Sequence, residues 1–251
     1  MSKERDYVVT EQQLCDVIVP KETKTYKPVP YCDLIRFTKE GAEEIGLTLV
    51  NTMYRATANR QVATARYDFT YGTDHEMGLS IAWQNSYNKQ VSLKFAIGAH
   101  VFVCANGACF GDIGSFKKKH TGEIQKITPE MIKEYLSTAT TVYENMVSQK
   151  DKMKSIPVND RQRCIIVGEL YFFSDVLKET QVAIIKKEFK KATFNYNSPD
   201  TLWELYNIIT FSLKEVHPAD YLETHGKVHE YFVRTFNLDE DKTSIIYSEK
   251  P

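Results

Sequence analysis

Apolar and polar residues alternate cleanly between positions 62 and 71. Ala63, Ala65, Tyr67, Phe69 and Tyr71 fall on one side of an extended chain, and Val62, Thr64, Arg66, Asp68 and Thr70 on the other. A period of two marks a strand with one buried and one polar face. Residues 47–58 precede it as a partner strand around an Asn59-Arg60 turn. Leu79, Ile81 and Trp83 mark a third strand beyond the polar Asp74-His75-Glu76 loop. Val91, Leu93, Phe95 and Ile97 alternate with Ser92, Lys94 and Ala96 as a fourth, broken or bulged at Gly98 and continued over 100–104. Asn106-Gly107 then gives a strong hairpin signal, because a type I′ turn needs positive φ at both central residues. That turn sets Cys104 across from Cys109, with Cβ atoms about 4.5–5.5 Å apart. The pattern predicts an antiparallel sheet over about 47–112.

Elsewhere the period is helical. Thr10 opens a short helix. Residues 33–45 form an amphipathic helix on Leu34, Phe37 and Ile45 that stops at Gly46. Thr128-Pro129-Glu130 is a helix start, with an N-cap threonine and proline at the first helical position. Met131, Tyr135, Ala139, Val142 and Met146 extend it as one stripe to a basic end at 150–154. Asn159 or Asp160 caps a further helix through Cys164, Val167 and Tyr171. Val182, Ile185 and Phe189 make another stripe, Ser198-Pro199 opens a helix holding Leu202, Tyr206, Ile209 and Leu213, and 220–236 is the last. Strands first and helices afterwards (about 128–236) mean α+β, with the helices on one face or at one end of the sheet. Residues 122–127 are too few for a free linker. The expectation is therefore one composite domain over 1–251, with a β-rich part at 1–127 and a helical part at 128–251.

Composition narrows the function classes. A net charge of −1 in 251 residues argues against a globally basic nucleic-acid binder while leaving room for a local patch. No run approaches the ~20 apolar residues of a membrane span, and the charged start carries no apolar segment of a secretory signal. Five cysteines without framework spacing fit a reducing cytoplasm.

The candidate chemistry is mostly basic. Arg66 and Lys94 lie on the polar sides of their strands, and Arg55 and Arg60 lie in or beside the adjoining strand and turn. Lys117, Lys118, Lys119 and His120 form a following loop. On neighbouring strands these residues would share one face, where cations track phosphates and nearby tyrosines stack bases. Lys186, Lys187, Lys190 and Lys191 add a basic helix stripe. Cys104 and Cys109 are a possible reactive or paired thiol couple, or two packed thiols. Cys104, Asn106 and His120 are residue types of a cysteine hydrolase, but the turn already accounts for Asn106, and a cysteine within a strand is poorly exposed. His225 and His229, four apart, could chelate zinc only with a third ligand; they are expected as a surface pair. No metal, cofactor or catalytic residue is called for.

Three segments carry a resemblance. Phe102-Val103-Cys104-Ala105-Asn106-Gly107 with the later His120-Thr121, Asn85-Ser86-Tyr87-Asn88, and Thr201-Leu202-Trp203-Glu204-Leu205-Tyr206-Asn207 together resemble the phage/plasmid-like protein family, a domain of unknown function. Tyr87 stands where that family has His, and Cys109 lies outside its pattern. The resemblance implies a mobile-element origin and no mechanism. The resulting expectation is a non-catalytic accessory protein in the cytoplasm of a bacterial host cell. It would bind nucleic acid, single-stranded DNA above all, in recombination or replication. The alternatives are an interaction protein that blocks a host defence factor and a thiol- or metal-dependent enzyme.

Overall fold

Six antiparallel strands lie side by side in chain order: β1 (Val8–Val9), β2 (Thr48–Ala56), β3 (Val62–Thr70), β4 (Met77–Ser86), β5 (Leu93–Val101) and β6 (Phe110–Lys118). This is a computed structural model, and it describes residues 7–102, 110–196 and 198–239. The Asn106-Gly107 turn and the Cys104/Cys109 pairing lie outside the described residues. The α+β class holds. The sheet reaches further than its pattern predicts, because Lys117 and Lys118 end β6 instead of forming a loop.

Register explains the alternation. Ala65 pairs with Trp83, which pairs with Phe95, so these residues share a face; Tyr67, Ile81 and Ile97 form the next row. Against this apolar face pack α2 (Tyr31–Glu44), α3 (Ile124–Leu136) and α4 (Ala139–Ser155). Tyr31 stacks on Tyr87 at 4.0 Å, the Tyr135 hydroxyl accepts the Ile97 N–H at 3.1 Å, and the Tyr143 hydroxyl donates to the Met77 carbonyl at 2.8 Å. The two hydrogen bonds let these phenols enter a largely apolar core with their hydroxyls satisfied.

The opposite face is covered as well, so helices flank both sides and not one. The segment after α7 (Leu202–Ser212) and the start of α8 (Tyr221–Phe236) lie across it, with Ala82 and Ala96 meeting Tyr221 and Leu222. Small residues on the sheet let the helix approach closely. Nearly every residue of β3, β4 and β5 is buried as a result.

Several helix ends differ from the pattern. α3 begins at Ile124, with Pro129 inside it, and Thr128 turns its hydroxyl onto the Ile124 carbonyl instead of capping. The stripe from Met131 to Met146 breaks at Ser137 and Thr138 into α3 and α4. Thr201, not Ser198, caps α7 through the Glu204 N–H. Asn159 does cap α5 (Asp160–Gly168), in a reciprocal box with Gln162, and α6 is Glu179–Lys190. Thr10 and Gln13 form the same box at α1 (Glu11–Cys15). A disulfide joins Cys15 to Cys32 in α2, a pairing that the count of five did not suggest.

Candidate functional site

The polar face of the sheet is laid out in rows. One row runs Arg55, Thr64, Gln84, Lys94, Lys117 across five strands; the next runs Met53, Arg66, Ala82, Ala96, Ser115. A third places Asn51, Asp68, Ser80 and Gly98 together, and His100 lies opposite Gly78 beyond it. Arg66 and Asp68, both nearly inaccessible, pair at 3.0 Å. The same carboxylate accepts from Asn51 at 3.1 Å and from the Ser80 hydroxyl at 2.5 Å. Burial opposes charge on Arg66, but Asp68 and Tyr221 hold its pKa above the usual value.

His100 sits beside this pair, with Nδ1 3.1 Å from the Leu79 carbonyl and 3.7 Å from Asp68. A carbonyl can only accept, so the proton is on Nδ1. Burial lowers the pKa of the ring despite Asp68. A Cβ on Gly78 would fall 2.3 Å from His100 Cε1, which is why glycine stands there. Ser80 donates to the carboxylate and not to the imidazole. A nucleophile–base pair requires the opposite arrangement; here the hydroxyl, the carboxylate and the guanidinium are bonded to one another within the layer.

Arg55 is buried too. It donates to the carbonyls of Lys214 and Val216 at 2.5 and 3.0 Å, and its guanidinium lies over the rings of Tyr7 and Tyr221. Burial lowers its pKa. Gln84 donates to the carbonyls of Pro218 and Ala219, at 2.5 and 2.8 Å. Lys94 reaches Glu223 at 3.7 Å. Arg55 and Arg66, placed by the sequence on an open binding face, therefore hold the chain crossing that face.

Arg60 and the lysines of 117–119 gather elsewhere, at one end of the sheet, together with Lys89. Arg60 sits in the β2–β3 turn with a φ of 55°, Lys89 in the β4–β5 turn with a φ of 66°, and Lys117, Lys118 and Lys119 at the end of β6 beside the start of β5. From the β2–β3 turn to β6 the rim is about 14–19 Å wide at the usual strand spacing. Lys89, Lys117 and Lys119 are exposed. Segment 21–27 joins the rim: the Lys27 N–H donates to the His120 carbonyl at 2.9 Å, and the Tyr26 hydroxyl to the Tyr87 carbonyl at 3.0 Å. Lys89 lies 4.8 Å over the Tyr26 ring. His120 is buried behind the lysines, tilted against Tyr26 at 5.5 Å, and burial lowers its pKa. It anchors the rim and is not one of its exposed groups. Tyr26, Tyr31 and Tyr87 are likewise inside, so they give the rim no stacking surface.

A family model described as "Domain of unknown function (DUF932)" matches residues 21–242. The chain belongs to that family. Neither the curated proteins nor the solved structures contain a match. The DUF932 match spans the whole sheet from β2 onward, the rim and the covering helix, so both polar clusters lie within the family's domain.

Other sequence candidates in this DUF932 chain have structural partners. His225 and His229 are not a surface pair; both are buried. Burial, with the positive Arg66 and Arg55, pushes His225 down to about 3, and burial pushes His229, 3.2 Å from the Tyr206 hydroxyl, down to about 4. Asp74 accepts from the N–H groups of Glu76 and Met77 and pairs with Lys150, while Glu76 pairs with Lys154 at 2.7 Å; the loop is thus tied to α4. Among the described residues no group of three His, Cys, Asp or Glu is placed to hold a metal ion, and no helix is long and apolar enough to cross a membrane. The Lys186, Lys187, Lys190 and Lys191 stripe is exposed on and just after α6. Lys89 is the rim residue that the pattern missed; an Asn-Lys-Gln turn between two alternating runs was its only signal.

Proposed function

We propose that this protein binds nucleic acid through its phosphate backbone, without catalysis, as an accessory protein of a phage or plasmid. The observation that carries the reading is the rim, where Arg60, Lys89, Lys117, Lys118 and Lys119 converge from separate turns and a strand end onto one edge of a rigid sheet. Each phosphate that such a cation neutralises releases counterions, which drives binding. The resemblance to phage and plasmid proteins supports the mobile-element setting, and a nucleic-acid partner fits a bacterial cytoplasm. In a reducing compartment the Cys15–Cys32 bond would open. Glu11, bonded at 2.7 Å to both Lys39 and the Tyr54 hydroxyl, would then hold α1.

The rim contacts phosphates and leaves bases unread, so binding should be insensitive to sequence. The test is affinity for labelled single- and double-stranded DNA and for RNA across a salt series. Lys117→Ala with Lys119→Ala should weaken binding and lower the slope of log K against log salt by about 0.7–0.9 for each phosphate no longer neutralised. An unchanged slope, or no binding at low salt, rejects the proposal.

A further inference from the structure

The C-terminal half carries two nearly bare phenylalanines. α5 runs into a π-helical turn, Glu169–Phe173, in which Ser174 N–H bonds back to the Glu169 carbonyl at 3.0 Å. The turn is fixed from inside. Leu170 is fully buried, its carbonyl accepts from Val176 and Leu177 at 3.0 Å, and the Glu169 carboxylate takes the Tyr231 hydroxyl. Phe172 and Phe173 are nevertheless 77% and 87% exposed, and Ile165, two turns earlier, is 49% exposed. Single-turn π segments recur at functional sites, and apolar patches of a few hundred Å² on a monomer are often interaction surfaces.

Beside the turn lies a hollow of about 500 Å³ lined by Ser174, Val176, Lys227, Glu230, Tyr231 and Arg234, among others. Val176, the Tyr231 ring and the lysine and arginine stems supply its apolar surface. Its charges have both signs, and Arg234 and Glu230 pair at 3.2 Å. That balance does not suit a phosphate-rich surface or an anionic membrane.

We infer that Phe172, Phe173 and the adjoining hollow form a self-association surface on which a second copy of this chain docks about a two-fold axis. Patch and hollow are neighbours on one surface, so a two-fold rotation presents each copy's rings to the other's hollow, the self-complementary condition of an isologous dimer. The two phenylalanines and Ile165 expose on the order of 350–400 Å² per copy. That is roughly half of the ~800 Å² per partner that a stable interface buries, close to the non-polar share of such an interface. This inference is independent of the nucleic-acid reading.

The test is sedimentation of the full chain from micromolar to several hundred micromolar, with Phe172→Ser/Phe173→Ser and, separately, Thr235→Trp. Thr235 also lines the hollow and is exposed, so tryptophan there fills the hollow without disturbing the core. The expected result is a concentration-dependent dimer whose dissociation constant rises roughly tenfold or more in each variant, with unchanged circular dichroism. A wild-type monomer throughout the range, or a dimer indifferent to both variants, overturns the inference. So does a monomer that binds phosphatidylcholine–phosphatidylglycerol vesicles through the phenylalanine pair.

Discussion

The two faces of the sheet are equally buried and are held by different physics. On one face, Tyr67, Leu79, Ile81, Trp83 and Phe95 meet three helices through apolar contact, with phenols bonded at the margins. On the other, Arg55 and Gln84 bond to backbone carbonyls of the segment that follows α7, while Arg66, Asp68, Ser80 and His100 bond to one another or to the sheet beneath it. The apolar face tolerates imprecision, because dispersion and desolvation act in all directions. The polar face does not. Each of its groups left water for a specific partner, and losing that partner costs the full desolvation of the group.

Removing a carboxylate breaks this comparison most severely. Asp68→Ala strands Arg66 in a dry layer and should lower unfolding free energy by about 3–5 kcal/mol, as much as Leu79→Ala on the apolar face, where a cavity costs about 2–5 kcal/mol. Urea denaturation of the pair decides it: a loss under about 1 kcal/mol for Asp68→Ala would mean that water reaches the layer.

Acid comes next. His225 and His229 stay neutral in the folded state, with pKa values near 3 and 4, and titrate near 6.5 when unfolded. The unfolded chain therefore takes up protons first. Stability is full above about pH 6.5 and falls as pH drops towards 4, by about 1.4 kcal/mol per pH unit for each histidine. Denaturation midpoints between pH 7 and 4.5 measure this, and His229→Gln should remove its share of the slope. The smallest effect is Gln84→Ala, which leaves the carbonyls of Pro218 and Ala219 short of a donor and should cost about 1–3 kcal/mol. A neutral result in the same denaturation series would place those carbonyls in water.

The strands themselves were legible in the sequence. The alternation at 62–71 separates Tyr67 from Arg66, and Gly98 marks a real irregularity, since the β5–β6 register shifts between Ala96 and Gly98. What alternation could not say is what lies over the polar side. An arginine facing water and an arginine facing the carbonyls of Lys214 and Val216 look alike in a local window, because the partner is about 160 residues away. The same blindness made His225 and His229 a surface pair. Arg60 and the 117–119 lysines were recoverable because turns and strand ends face outward whatever covers the sheet.

The strand order also sets a schedule. β2 to β6 each pair with the next strand in sequence, and hairpins of this kind close in microseconds. The cover for the polar face begins near residue 214, about a hundred residues beyond the end of β6, or roughly 5–20 s of synthesis. During that interval a nascent sheet can already lean its apolar side on α2, α3 and α4 while its other side still faces water. Arg55, Arg66, Asp68, Gln84 and His100 make that unfinished side a poor template for aggregation. Their polarity guards the growing chain first and becomes interior only when α8 arrives.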